Sequence, residues 1–253
     1  MHEAALHRLL AWSTASYPTG AFSYSHGLER AVEDRLVSSA ETLVDYVNTV
    51  LGCGAGWTDA VFFVHAWRAA FEAGEHERVA SRGHDAGNGD GDSDGNGNGP
   101  SGELDSIADF AAAWRGTSET ALESHQQGAA FLEVTRAAWP HEGLRRFAQS
   151  RHGKSIPHSV AAAVACASHA IPLDLALGAS LHAFASNLVS AGVRLIPLGQ
   201  TSAQIAIARI SAGIGALSVR AQHASLADLG TAAVMIDLCS MRHETQYARL
   251  FRS

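Results

Sequence analysis

The chain of 253 residues has one lysine (Lys154), three cysteines and six prolines, and each scarcity removes a class of protein. Nucleic-acid binding needs a net basic surface. With scattered arginines and a formal charge of −7, nucleic acid is not an expected partner. Cys53, Cys166 and Cys239 are odd in number and far apart, which argues against a disulfide framework or a Cys-x-x-Cys metal knuckle and for free thiols in a reducing compartment. The opening Met-His-Glu-Ala-Ala-Leu-His-Arg lacks the basic-then-apolar layout of a secretory leader, so a cytoplasmic location is expected. Sustained apolar–polar alternation is missing, which leaves little room for a sheet.

Several kinds of chemistry are also missing. Gly153-Lys154-Ser155 resembles the end of a phosphate-binding loop, but the glycine required five residues before Gly153 is Ala148 and the preceding segment is helical in character. Tyr24-Ser25-His26-Gly27 gives half of a nucleophile elbow, yet Ser23 stands where that elbow carries glycine and no β-branched run precedes it. No two of the fourteen histidines fall at the i, i+4 spacing of a helical metal pair, and none neighbours a cysteine. A site assembled from distant residues would draw first on His26, His152, His158 and His243. No cofactor and no catalytic residue is expected, and the chain reads as something other than an enzyme.

What is present is helical periodicity in nearly every window, so the expected fold is all-α, a single-domain helical bundle over residues 1–253. A chain this long buries on the order of 70% of its unfolded surface and needs no staples. Ser38 to Glu41 fits a capping box, and Leu43, Val44, Val47, Val50 and Leu51 share one face of the helix it opens. Thr58 is the expected cap of the next helix, with further helices near Asp105–Trp114 and Ser118–Trp139, the last ended by Pro140. Residues 81–102 are mostly glycine, asparagine, aspartate and serine, and within them 83–102 hold four aspartates and no basic residue, so a flexible insertion is expected there. Asp90, Asp92 and Asp94 imitate the start of a calcium loop, but Ser101 occupies the position that needs a glutamate.

Residues 155–173 and 175–193 hold no charged side chain, which raises a membrane reading. Their alanine, serine, histidine and asparagine content, with Pro157 and Pro172, fits close-packed internal helices better, and no membrane association is expected. Leu177, Leu181, Phe184 and Leu188 form one apolar stripe, and Ile207, Ile210, Ile214 and Leu217 another.

Two segments look shaped for contact. The stretch Tyr17–Glu29 packs aromatics, hydroxyls, Pro18, Gly20 and Gly27 between helices, with Phe22 and Leu28 expected to staple it to a core. Residues 241–253 set Tyr247, Leu250 and Phe251 at i, i+3, i+4 among charged groups. Burying those three gains ~5–8 kcal/mol at ~1.5–3 each, whereas fixing thirteen backbones costs more than ~10 kcal/mol. The expectation is a tail that is loose alone and orders on a partner.

Pro18, Gly20, Phe22, Ser25, Gly27, Leu28 and Glu29, then Arg194 with Pro197-Leu198-Gly199-Gln200, and the ending Met241-Arg242-His243-Glu244 through Arg249-Leu250-Phe251-Arg252-Ser253 together resemble the urease accessory protein UreF family. The resemblance implies an all-helical homodimer in the cytoplasm that binds the accessory protein UreD (also called UreH), recruits the GTPase UreG, and so assists nickel insertion into apo-urease. It implies a tail that docks on UreD through Arg242, Tyr247, Arg249, Leu250, Phe251 and Arg252. It also implies that Tyr24, Ser25, His26, Gly27 and Glu29, with Arg194 and Gln200, shape the surface met by UreG. For Arg194 and Gln200, packing at a helix end is the competing role. Two alternatives accompany this reading, a regulator of UreG GTP hydrolysis acting through an arginine and a direct nickel carrier.

Overall fold

The computed structural model describes residues 3–84 and 100–253. Among these residues there are eleven α-helices and no strand, as the periodicity requires. In chain order they are α1 Glu3–Trp12, α2 Leu28–Glu33, α3 Ala40–Cys53, α4 Ala55–His84, α5 Pro100–Ala113 and α6 Ser118–Ala138. They continue with α7 Glu142–Ser150, α8 His158–Ser168, α9 Leu173–Leu195, α10 Gln200–His223 and α11 Val234–His243. Short 3₁₀ turns occupy Ala21–Ser23 and Leu226–Asp228.

The helix boundaries follow local chemistry. The capping box sits one residue later than the sequence suggests: Ser39 caps α3 reciprocally with Thr42, because Thr42 supplies the returning hydroxyl in place of a glutamate. Thr58 is not a cap. The chain re-enters helix at Ala55, one residue after the break at Gly54, and Thr58 returns its hydroxyl to the Ala55 carbonyl inside the first turn. Thr117 and Thr120 form a second box at the start of α6. Pro157, Pro172 and Gly199 stand immediately before α8, α9 and α10, where a missing or unneeded amide hydrogen bond does no harm. The central part of the expected insertion, residues 85–99, lies outside the described residues; at its edges the chain is helical, to His84 and from Pro100.

Helix α8 forms the axis of the core. Nine of its eleven residues are buried, and seven of those are alanine or serine or cysteine, so neighbouring helix axes can approach closely. It packs against α4, α6, α7 and α9, while α10 lies across α3, α4 and α9. The two predicted stripes are in place: Leu177, Leu181 and Leu188 are buried with Phe184 half-covered, and Ile210, Ile214 and Leu217 are buried with Ile207 half-covered. Helices α9 and α10 are long and apolar enough to cross a membrane by length and composition alone. Here both lie within the bundle and contribute to one contiguous apolar core that runs from Ala5 to Phe251.

Among the described glycines, Gly128 of α6 is the most closely packed. A methyl group built there would lie 1.9 Å from the Ile156 carbonyl oxygen, so backbone takes the space a side chain would need. Gly128→Ala is expected to lower the unfolding free energy by about 3 kcal/mol through overpacking. Gly178→Ala, on α9 with nothing within 4 Å, should raise it by about 0.5–1 kcal/mol through helix propensity. Urea-denaturation midpoints of the two variants check the contrast.

Candidate functional site

The site is built where the Tyr24–Glu29 loop, the N-terminal half of α6, the end of α11 and residues 249–253 meet. The loop is forced into its path by two successive residues with positive φ, His26 at 58° and Gly27 at 75°. The left-handed region is uncommon outside glycine, and at His26 it is held by its surroundings. Tyr46 donates to the His26 carbonyl (2.8 Å), and the ring packs edge-on against Phe184. Gly27 lies against α11; a methyl group there would be 2.8 Å from the Ser240 amide nitrogen.

Residues 249–253 dock into this framework through polar contacts. The Arg252 amide donates to the Ser23 carbonyl (2.7 Å) and the Ser25 amide to the Ser253 main-chain oxygen (2.8 Å), an oxygen that also receives the Ser25 hydroxyl. Glu29 accepts the amides of Leu250 (2.7 Å) and Phe251 (2.9 Å) and, at 3.0 Å, His243 Nε2. The other face of the His243 ring, Nδ1, is 2.8 Å from Glu119, which also takes Arg249 at 2.6 Å. One turn further along α6, Glu123 receives Ser253 Oγ (2.8 Å), Gln127 Nε2 (3.1 Å) and His26 Nδ1 (3.3 Å). Burial pushes the Glu119 carboxyl up, against the opposing pull of His243 and Arg249. Burial pulls the His26 imidazole down, but Glu123 outweighs it and the net direction is up.

The tail is therefore not loose on the isolated chain. Met241–His243 are the last turn of α11, Phe251 and Ser253 are buried, and Arg194 stacks 4.3 Å over the Phe251 ring while returning Nε to the Ser190 carbonyl. The apolar estimate failed because only Phe251 of the three large side chains is buried, and because it omitted hydrogen bonds to buried carboxylates, each contributing ~1.5–3 kcal/mol. The loop is also displaced from its expected position. Tyr24, Ser25, His26, Gly27 and Glu29 are all buried beneath the tail, so they hold it in place and do not themselves form surface. Leu28 joins the core as expected, but Phe22 is 61% exposed and staples nothing, because the 3₁₀ turn at Ala21–Ser23 points it outward. Tyr24 hydrogen-bonds Gln126, and Arg252 reaches over its ring at 5.9 Å. Arg242 pairs with Asp34 at 3.1 Å. Gln200 opens α10 in an exposed position, and among the described residues its side chain hydrogen-bonds none of the others.

Sequence reasoning missed Glu119 and Glu123, the anchors on α6. Their signal was an acidic and amide series at i, i+4, i+8 with Gln127, all buried, on the face where an ordinary helix carries its apolar stripe.

Outward from this framework the surface turns apolar. Val234, Met235, Leu238 and Met241 are exposed along one side of α11, and Tyr247 and Leu250 project from the tail. On the inner side a cavity of about 170 Å³ is lined by Trp12, Asp59, Glu123, Phe131, His158 and Phe184. Asp59 is held by Arg115 (2.8 and 3.2 Å) and Ser159 (2.8 Å); burial alone would raise its carboxyl, but those two partners hold it below the usual range. Burial keeps the His158 imidazole low. Among the described residues no group of three or more histidine, cysteine, aspartate or glutamate side chains is arranged to hold a metal ion, and both His243 nitrogens face carboxylates.

The arrangement defines an all-helical protein whose candidate site is a docked segment bordered by exposed apolar side chains. A family model described as UreF matches residues 37–211. Three similar proteins, each described as urease accessory protein UreF, come from Granulibacter bethesdensis, Rhodopseudomonas palustris and Bradyrhizobium diazoefficiens. They are 47%, 44% and 42% identical over 99% of this chain and 95%, 93% and 92% of their own lengths. The chain belongs to the UreF family of urease accessory proteins, and its role lies in urease maturation.

The Asp59–Arg115 pair, beside the cavity, is an acid-sensitive support of the fold. A carboxylate whose folded value is depressed stabilises the fold above its unfolded value, and that contribution disappears as pH falls through the folded value. Arg115→Ala is expected to cost about 1–3 kcal/mol at neutral pH, because Asp59 is partly exposed and keeps its Ser159 hydrogen bond when the guanidinium is lost. The difference from the parent chain should shrink as pH drops below the ordinary aspartate range, measured by chemical denaturation at a series of pH values.

Proposed function

We propose that this protein acts as a non-catalytic, cytoplasmic scaffold in nickel insertion into apo-urease, binding UreD/UreH through its C-terminal segment and α11, and then recruiting the GTPase UreG. One observation carries the reading. The tail is held from beneath by Glu29, Glu119 and Glu123, which leaves Tyr247 fully exposed and Leu250 65% exposed beside the apolar side of α11. Large aromatic and aliphatic anchors on a fixed backbone are what a protein-binding surface needs, because little ordering entropy is then lost on association. In this reading Arg242 and Arg249 lie at the rim, already neutralised by Asp34 and Glu119, and Phe251 acts from within as the pin of the segment.

The loop residues Tyr24, Ser25, His26, Gly27 and Glu29 contribute indirectly, by fixing the tail that covers them. Phe22, Arg194 and Arg252 are the neighbouring groups that UreG would meet, with Gln200 at the start of α10. A homodimer is supported by α10, whose outer side exposes Ile205, Ala208, Ala212, Ala216 and Val219. The alternative as a regulator of GTP hydrolysis draws on Arg252, which has no carboxylate partner among the described residues. The alternative as a nickel carrier has no cluster of donors among the described residues to build on.

The test is co-expression with UreD/UreH and UreG. Tyr247→Ala combined with Leu250→Ala, both solvent-facing, should weaken capture of UreD/UreH by at least about thirtyfold if each is an anchor worth about 1 kcal/mol or more, with unchanged thermal stability. Undiminished capture refutes the assignment. Arg252→Ala should leave the GTP turnover rate of UreG nearly unchanged; a loss of about a thousandfold would instead identify a catalytic arginine.

A further inference from the structure

The cavity beside Asp59 and His158 has no part in the reading above. It measures about 170 Å³ and lies between the end of α1 with the loop that follows, the start of α4, and helices α6, α8 and α9. A cavity of about 150 Å³ engineered into a protein core takes up a benzene molecule, so this space suits one small ring with a few further atoms. Its lining is divided. Phe63, Phe131, Leu177 and Phe184 belong to the apolar wall, whereas Asp59 and Glu123 both act through space on the imidazole of His158, which burial nonetheless keeps low. Among the described residues that line the cavity there is no lysine or arginine.

The polar end of the cavity is rich in acceptors and poor in donors. An ionised carboxylate offers about four lone-pair sites and no donor. Asp59 Oδ1 takes Arg115 and Ser159, both at 2.8 Å, but Oδ2 takes Arg115 alone, at 3.2 Å. Glu123 has Ser253 and His26 on one oxygen and only Gln127 on the other. His158 meets the Phe131 ring at right angles, with centroids 5.5 Å apart, and hydrogen-bonds to none of the described residues. As a neutral imidazole it keeps an acceptor nitrogen free. The counter-charges Arg115 and His26 are not among the lining residues. An anion entering this space meets two carboxylates and no cation, and an uncharged hydrocarbon leaves the acceptors unanswered.

We propose that the cavity is a binding site for a small organic cation, a primary ammonium on an apolar body about the size of one ring, with the ammonium among Asp59, Glu123 and His158 and the body against Phe63, Phe131 and Phe184. An ammonium brings three donors and no acceptor, the complement of what these groups offer, and aromatic faces add attraction for a cation. Among the described residues no three donors are arranged to hold a bare metal ion, which leaves a polyatomic cation as the better match. The way in lies between α9 and the loop after α1. Thr14 and Ser190 line the cavity and are exposed to solvent, and Asn187 of α9 spans the gap by donating to the Ala21 carbonyl (2.9 Å).

The experiment is titration of the full chain at neutral pH with benzylamine, a protonated amine on a single ring, followed by calorimetry and by protein NMR. Benzyl alcohol and benzoate serve as its neutral and anionic counterparts. Saturable binding of benzylamine is expected, at least about tenfold tighter than that of benzyl alcohol, because a hydrogen bond to a charged group is stronger than one between neutral groups by that factor or more. Benzoate is expected to bind more weakly than either. The shifts should concentrate at Phe131, His158 and Ala162, which line the cavity. Ala183→Leu, at a half-buried lining position of α9, fills the space and should abolish benzylamine binding while thermal stability is retained. Benzyl alcohol or benzoate binding as tightly as benzylamine overturns the proposal, as do shifts elsewhere in the protein, benzylamine binding undiminished in Ala183→Leu, or no saturable binding up to about 10 mM. The order of the three probes is read on the parent chain, so it decides the matter whether or not the variant folds.

Discussion

Two glutamates on different helices, Glu29 and Glu119, point at the same buried imidazole, and the placement of the last five residues depends on that meeting. Anionic side chains are costly to bury unless each is paired and hydrogen-bonded. Here they are satisfied by His243, Arg249 and two main-chain amides that no helix claims. The requirement works in both directions: the tail saturates the carboxylates, and the carboxylates give the tail a single path. Around this centre the left-handed pair His26–Gly27, the close contact of Gly27 with α11 and the cap of α6 become parts of one arrangement.

Membership of the UreF family and the geometry meet at the same surface. Relatives that match along nearly the whole chain are urease accessory proteins, and the chain's own distinctive construction is a rigidly mounted segment beside uncovered apolar side chains. The cavity beside Asp59 and His158 is lined mainly by aromatic and aliphatic groups and shares Glu123 with the seat of the tail.

The helical architecture was legible because it depends on short-range pattern. Leu43, Val47 and Val50 recur on one face of α3, and prolines and glycines mark where helices begin, so local chemistry and final packing agree. The residues of the site were legible as a set of segments but not as a geometry. Ser25 and Ser253 lie 228 positions apart and Glu29 and His243 214 apart, and no periodicity connects them. The tail was misjudged because apolar side chains can be counted in a sequence, whereas hydrogen bonds to carboxylates elsewhere in the chain cannot. For the same reason Glu119 and Glu123 went unmarked, since their burial shows only once α6 is seen to turn them inward.

Val234, Met235, Leu238 and Met241 stand uncovered along α11, and two of the four are methionines, whose unbranched side chains adapt to many shapes. Water is a poor solvent for such a strip, and other copies of the same strip are available to hide it. A cell that makes this chain in excess of whatever covers α11 therefore creates a sticky surplus. Keeping it dispersed then depends on that strip being shielded from its own copies, a demand written into one side of a ten-residue helix.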